Sequence, residues 1–224
     1  MKSVNIGSRK QSKAERTRAE ILAAAERRFA EHGYAGTRLE DLGADVGVGR
    51  SAILYHFKDK DQVYRAVLDD LYGGVLDAVR GALLGPGTIT ERTERAVAFL
   101  VDYVAQRPAA AQIALREAAS SDPSIRAEVR ARSAPVLKLV TTILEEGQRA
   151  GVLRPVRPDA LHFVSAVAGT LLFYVAALPT FVAELPYDHL SGEQMADLKR
   201  DLLEITRRLL GIGGPRPLPA KESP

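Results

Sequence analysis

Cysteine is absent from the 224 residues, and so is tryptophan. Without cysteine there is no disulfide scaffold, no thiol catalysis and no thiolate zinc site, and the composition suits a reducing cytosol. The four histidines, His32, His56, His162 and His189, are scattered and lack a carboxylate cluster, so no metal is called for. Strand signals are nearly missing, whereas alanine, leucine, valine and arginine dominate and favour helix. The opening Met1-Lys2-Ser3-Val4-Asn5 has no long apolar run, which argues against a secretory signal. The length is enough for one or two domains with a sizeable core.

Charge is unevenly spread. Up to Lys60 there are twelve Lys/Arg against eight Asp/Glu, which leaves nineteen against twenty beyond it. In the first eighteen residues Lys2, Arg9, Lys10, Lys13, Arg16 and Arg18 face only Glu15. A basic amino end on a nearly neutral body suits contact with a polyanion, although a solvated arm gives the same run. As a membrane-surface anchor the arm is poor, since residues 1–13 offer only Met1, Val4 and Ile6 as apolar anchors. From Ala160 to Ala183 no formal charge occurs, a run long enough to span a bilayer. Its His162, Ser165, Gly169, Thr170 and Pro179 favour a helix buried between a domain core and a partner subunit instead.

Helix signals recur along the chain. Ser12 with Glu15, Thr37 with Glu40, Thr88 with Glu91 and Ser191 with Gln194 have capping-box spacing, and Asp122-Pro123 reads as a cap before a first-turn proline. Glycines at 33, 81, 85, 151 and 211 mark stops. About nine helices follow, near 13–32, 38–45, 49–56, 60–82, 89–106, 109–119, 123–150, 158–183 and 192–210, the seventh kinked at Pro135. The fold class is all-α. Met195, Leu198, Leu202, Ile205 and Leu209 form a seam on the last helix, and small residues on the 158–183 helix permit close approach. These two helices from each of two chains would make a four-helix interface. Residues 213–224 form a proline-rich tail expected to be disordered.

The stretch LEDLGADVGVGRSAILYHFKDK, from Leu39 to Lys60, contains Gly43, Gly47 and Gly49. A dinucleotide loop needs a different glycine spacing after a strand, and a phosphate loop needs Gly-Lys-Ser/Thr; neither fits. A helix-turn-helix does. Leu39, Leu42 and Val46 would be buried on its first helix and Val48, Ile53 and Phe57 on its second, with Gly47 at the turn and Gly43 at the crossing.

On these residues the chain resembles the amino-terminal DNA-binding domain of the TetR family of transcriptional regulators. The resemblance covers about residues 14–68, including Phe29, Gly33-Tyr34 and the closing Phe57-Lys58-Asp59-Lys60. It implies a three-helix DNA-binding domain at 14–60, a basic arm at 1–13 and a larger ligand-binding and dimerisation domain at 61–212. It also implies that the second short helix enters the major groove. Arg50, Ser51 and Ala52 would occupy its first turn, Arg50 reading guanine or gripping phosphate. Thr37 would cap its helix and meet phosphate beside Arg38; Tyr55 and His56 would touch backbone and sugar, and Lys60 would clamp phosphate. Leu54 stands where the family commonly has tyrosine, and Gly49 where a serine often caps the helix.

The resemblance further implies a cytoplasmic homodimer on a pseudo-palindromic double-stranded operator, repressing until a small organic ligand binds, with the helix from Lys60 to about Leu83 as lever. Phe99, Tyr103, Ile113, Val140, Leu144 and Phe173 are apolar or aromatic pocket candidates, and Arg116 a partner for an acidic ligand group. No catalytic residue, metal site or cofactor is expected. The competing class, a cytosolic helical enzyme with an unrecognised active site, lacks a nucleophile–base pair, a metal cluster or a nucleotide loop in this sequence.

Overall fold

Ile21, Ala25 and Phe29 recur every fourth residue, which puts them on one helix face; all three are buried. The computed structural model describes residues 13–182, 184 and 187–212. The expected basic arm, apart from Lys13, and the proline-rich tail lie outside the described residues, as does Ser12 of the first capping pair. The helices are α1 (Lys13–Gly36), α2 (Leu39–Val46), α3 (Arg50–His56), α4 (Lys60–Leu84), α5 (Ile89–Gln106), α6 (Pro108–Ala118), α7 (Pro123–Arg149), α8 (Ala160–Leu172), α9 (Leu178–Val182) and α10 (Gly192–Leu210). A π-helical turn, Phe173–Ala177, joins α8 to α9, so the single helix expected over 158–183 is these three pieces in succession. Among the described residues there is no strand. The chain divides into two compact units, residues 1–70 and 71–224, and the division falls inside α4.

In the first unit Leu42 of α2 and Ile53 of α3 are wholly buried, with Phe57 and Val63. Each such side chain contributes about 1.5–3 kcal/mol by leaving water. Phe29 meets the Tyr64 ring edge-on at 4.8 Å, and Tyr34 meets it at 5.1 Å. Arg28 of α1 grips Asp45 of α2 through two bonds of 2.6 and 2.7 Å, and this guanidinium holds the Asp45 carboxyl below the usual carboxylate range. The predicted stop at His32-Gly33 is where α1 leaves helical geometry, at Gly33, before helix resumes as far as Gly36.

The cap expected of Thr37 is corrected. Arg38 occupies the N-cap of α2 and makes no side-chain cap bond. The Thr37 hydroxyl donates backwards to the Gly33 carbonyl at 2.9 Å and the Arg28 carbonyl at 3.3 Å, and the residue is buried. The Gly33 carbonyl lies in the last turn of α1, where helical donors run out, and wins the hydroxyl.

In the second unit Val97, Val101 and Val104 of α5, Ile143 and Leu144 of α7, Phe163, Val167 and Leu171 of α8, and Leu198, Leu202 and Leu210 of α10 form one core. Thr88 and Glu91 make the full capping box; Asp122 and Ser191 accept at the starts of α7 and α10. The start of α8 is fixed by Asp159, which accepts from the His162 N–H at 2.7 Å. The helices α5 and α10 pack together and are tied by Arg207–Glu94 at 2.8 Å and Lys199–Asp102 at 2.6 Å. The α10 seam departs from its expected register after Leu202: Thr206 and Leu210 are buried, Ile205 and Leu209 only partly. A straight helix of 3.6 residues per turn drifts off a 3.5-residue seam.

Candidate nucleic-acid interface and ligand cavity

Between α2 and α3 the chain reverses in three residues, and two glycines make that possible. Gly47 adopts φ 70, ψ 30, left-handed backbone that a residue with a Cβ enters only at a cost. Gly43 allows close approach: a Cβ there would lie 2.5 Å from the Val48 carbonyl oxygen, and the Val48 N–H donates to the Gly43 carbonyl at 2.8 Å. Leu42 and Ile53, both wholly buried, pin the two helices beneath this crossing. Leu39, Val46 and Val48 are only half-buried, because α2 has eight residues and α3 seven, too few for a second buried row.

On the outward side Arg38, Arg50, Ser51 and Tyr55 are exposed, and Ala52 and His56 half-buried. Arg50, at the first position of α3, reaches back to Glu40 of α2 at 3.0 Å. Tyr55 is 81% exposed with its ring edge-on to His56, an unusual position for a large apolar ring. Lys60, expected to clamp phosphate, has an ammonium that donates to the carbonyls of Tyr34 at 2.9 Å and Thr37 at 3.1 Å, and lies 4.2 Å from the centre of the Tyr34 ring. Two of its three donors are thereby spent on the turn between α1 and α2. Asp61 accepts from the Tyr34 hydroxyl, which pushes that phenol up to about 12. This Tyr34–Lys60–Asp61 cluster, the Arg28–Asp45 fork and the Arg18 guanidinium 4.9 Å from the Phe57 ring centre were not foreseen. Contacts between residues 17 to 39 positions apart leave no local spacing to read.

The second unit holds a half-open cavity of about 480 Å³, walled by α4, α5, α6, α7 and α8. Of the sequence candidates, Tyr103, Val140 and Leu144 stand on the wall. Phe99, Ile113, Arg116 and Phe173 do not, and helical phase explains it. On α5 the inward face is Val97, Leu100 and Val104, which leaves Phe99 41% exposed. On α6 the cavity face is Ala110, Ala111 and Ala114, with Ile113 buried elsewhere and Arg116 on the exposed side. Phe173 is half-exposed and stacked on Phe181 at 5.7 Å. Among the described residues no charged side chain lines the wall; its hydroxyls are those of Tyr72, Thr93, Tyr103 and Ser133. Tyr72, which the sequence reading missed, has a phenol raised by burial and then by the Glu117 carboxylate.

The run from Ala160 to Val182 carries no Asp, Glu, Lys or Arg, is long and apolar enough to cross a membrane, and has only 22% of its most apolar window buried. Leu161, Phe173 and Phe181 are its most exposed large side chains, at 63, 50 and 72%.

Residues 21–67 match the family described as "Bacterial regulatory proteins, tetR family", and residues 90–205 match "Tetracyclin repressor-like, C-terminal domain". The HTH-type transcriptional repressor NicS of Pseudomonas putida is 27% identical over 202 residues, covering 88% of this chain and 93% of that protein. A regulatory protein of the tetR family from Rhodococcus RHA1 superposes with a TM-score of 0.69 at 24% identity, over 90% of this chain and 99% of that one. The regulator FadR from Bacillus subtilis, solved in complex with stearoyl-CoA, gives 0.67 at 20% identity over 87% and 98%.

Proposed function

The chain belongs to the TetR family of transcriptional regulators, and we propose that it is a ligand-responsive repressor that binds a pseudo-palindromic operator as a homodimer. The observation that carries this reading is the α2–α3 crossing closed by Gly43 and Gly47, with Arg50, Ser51 and Tyr55 turned outward. In this reading α3 lies in the major groove. Arg50 reads a base edge or grips phosphate, Ser51 and Ala52 face bases, and Arg38, Tyr55 and His56 meet the sugar-phosphate backbone. Thr37 and Lys60 act from behind: they fix the α1–α2 turn, and the remaining N–H of Lys60 is the one offered to phosphate.

A second copy is the occupant proposed for the uncharged run. Covering Leu161, Phe173 and Phe181 by the same surface of a partner removes apolar area from water and sets two recognition helices on one duplex. As a DNA-bound regulator the protein would work in the cytoplasm.

The cavity supports the ligand half of the reading. Its size falls in the range of small-molecule sites, and FadR from Bacillus subtilis holds stearoyl-CoA in a chain of the same fold. A ligand weakens DNA binding only by preferring a state in which α3 is misplaced. The helix α4, which begins at Lys60 and later lines the cavity, is the element proposed to carry that preference. Selection from random duplex DNA tests the function: an enriched inverted repeat supports it, and enrichment of no sequence at near-physiological salt sinks it.

A further inference from the structure

We propose that the cavity's ligand is an aliphatic chain bearing one neutral polar group, and that the Tyr72 hydroxyl is the hydrogen-bonding partner of that group. The inference rests on the ligand-responsive reading above and narrows it to a chemical class. Three of the four wall hydroxyls have already spent their O–H donor. Thr93 donates to the Ile89 carbonyl at 2.8 Å, Ser133 to the Val129 carbonyl at 2.8 Å, and Tyr103 to the Leu71 carbonyl at 3.1 Å while accepting from Arg107 at 2.6 Å. Tyr72 makes no hydrogen bond to a described residue.

Electrostatics then set the kind of group. No described wall residue is charged, and the Arg107 guanidinium reaches the wall only through the Tyr103 hydroxyl, so an ionised carboxylate drawn inside would lose its water without gaining a counter-charge on the wall. Beside Tyr72 stands Glu117, 5% exposed, with its Oε2 buried and unpartnered among the described residues. Its charge adds a penalty for any anion brought to the phenol. Arg132, whose charge also reaches Tyr72, is paired with Glu128 at 2.9 Å and lies off the wall. An alkylammonium at the phenol would be drawn by Glu117 but repelled by Arg132, and it would meet no charge on the wall itself. What remains is an alcohol, ester or similar neutral group at Tyr72, with the chain laid along the apolar walls. A cavity of 150 Å³ holds benzene, so about 480 Å³ takes roughly nineteen non-hydrogen atoms.

The test is calorimetric titration of the full chain with 1-decanol, decanoate, decylammonium and n-butylbenzene, each kept below its aggregation threshold. Decanol is expected to bind at least tenfold tighter than decanoate or decylammonium. Tyr72→Phe should weaken decanol about fivefold, one net hydrogen bond, and leave butylbenzene, which has no polar group, unchanged. Ala114→Phe, which fills the cavity, should weaken both. Decanoate or decylammonium binding as tightly as decanol to the unaltered chain would overturn the proposal, and that comparison needs no variant to fold. Equal loss of decanol and butylbenzene in Tyr72→Phe would overturn the Tyr72 assignment, as would decanol binding unaffected by Ala114→Phe. The same probes added to the operator complex separate the two readings. Decanol bound at Tyr72 without any change in operator affinity refutes ligand response and leaves the ligand class standing; release by decanoate alone does the reverse.

Discussion

Gly43→Ala should destabilise the first unit even though alanine is the better helix former. A Cβ at this position lies 2.5 Å from the Val48 carbonyl oxygen, roughly 1 Å short of an ordinary carbon–oxygen contact. The oxygen cannot simply retreat, because its residue's N–H is bonded to the Gly43 carbonyl at 2.8 Å and Leu42 and Ile53 are fully buried beneath. Overpacking of this kind costs about 1–3 kcal/mol and a stretched hydrogen bond about 1 kcal/mol more. The helix-propensity gain opposes these by about 1 kcal/mol, so a net loss of about 1–3 kcal/mol is expected. Gly73, inside α4, is the control: nothing lies within 4 Å of its Cβ, so Gly73→Ala should stabilise by about 0.5–1 kcal/mol. Urea unfolding followed by circular dichroism reads both changes, and amide exchange should place the Gly43→Ala loss in α2 and α3. A Gly43→Ala variant stabilised like Gly73→Ala would refute the crossing geometry and the DNA-reading role built on it.

Arg50→Ala should lower operator affinity about 10- to 100-fold, the worth of a base or charged phosphate contact, in fluorescence anisotropy. The melting temperature should stay put, since the pair with Glu40 is exposed. Asp45→Asn should lower the melting temperature at neutral pH. The Asp45 carboxyl is depressed by Arg28, so its contribution is present above the ordinary carboxylate value of 3.8 and lost as pH falls through the lower folded value; melts of the two proteins should converge there. Phe181→Asp should raise the dimer dissociation constant by about 100-fold or more in sedimentation equilibrium, because it buries an unpaired charge in the proposed interface.

Much of this was legible in the sequence because it is local. Capping pairs and stop glycines act within four residues of a helix end, which is why α5 begins, and α10 both begins and ends, where expected. Gly43, Gly47 and Ile53 announce the crossing because their spacing is itself the constraint. Thr37 misled: a hydroxyl placed to cap the next helix was claimed by carbonyls of the previous one. Lys60 was read as a phosphate clamp from its place at the start of α4, whereas its carbonyl partners lie 26 and 23 residues back, beyond any local spacing. The cavity wall was half-read, since side-chain size suggested Phe99 and Phe173 while helical phase chose Leu100, Tyr72 and a row of alanines. Small residues leave a void, and a void has no residue type to announce it.

The account's central claim is that α3 reads DNA sequence, and enrichment from random duplexes followed by anisotropy of the winner against a scrambled duplex tests it most directly. A two-fold repeat bound at least a thousandfold tighter than the scramble at near-physiological salt, with the preference lost in Arg50→Ala, is the expected result. Equal binding to both duplexes, fading together as salt rises, would contradict the claim and leave only a basic surface.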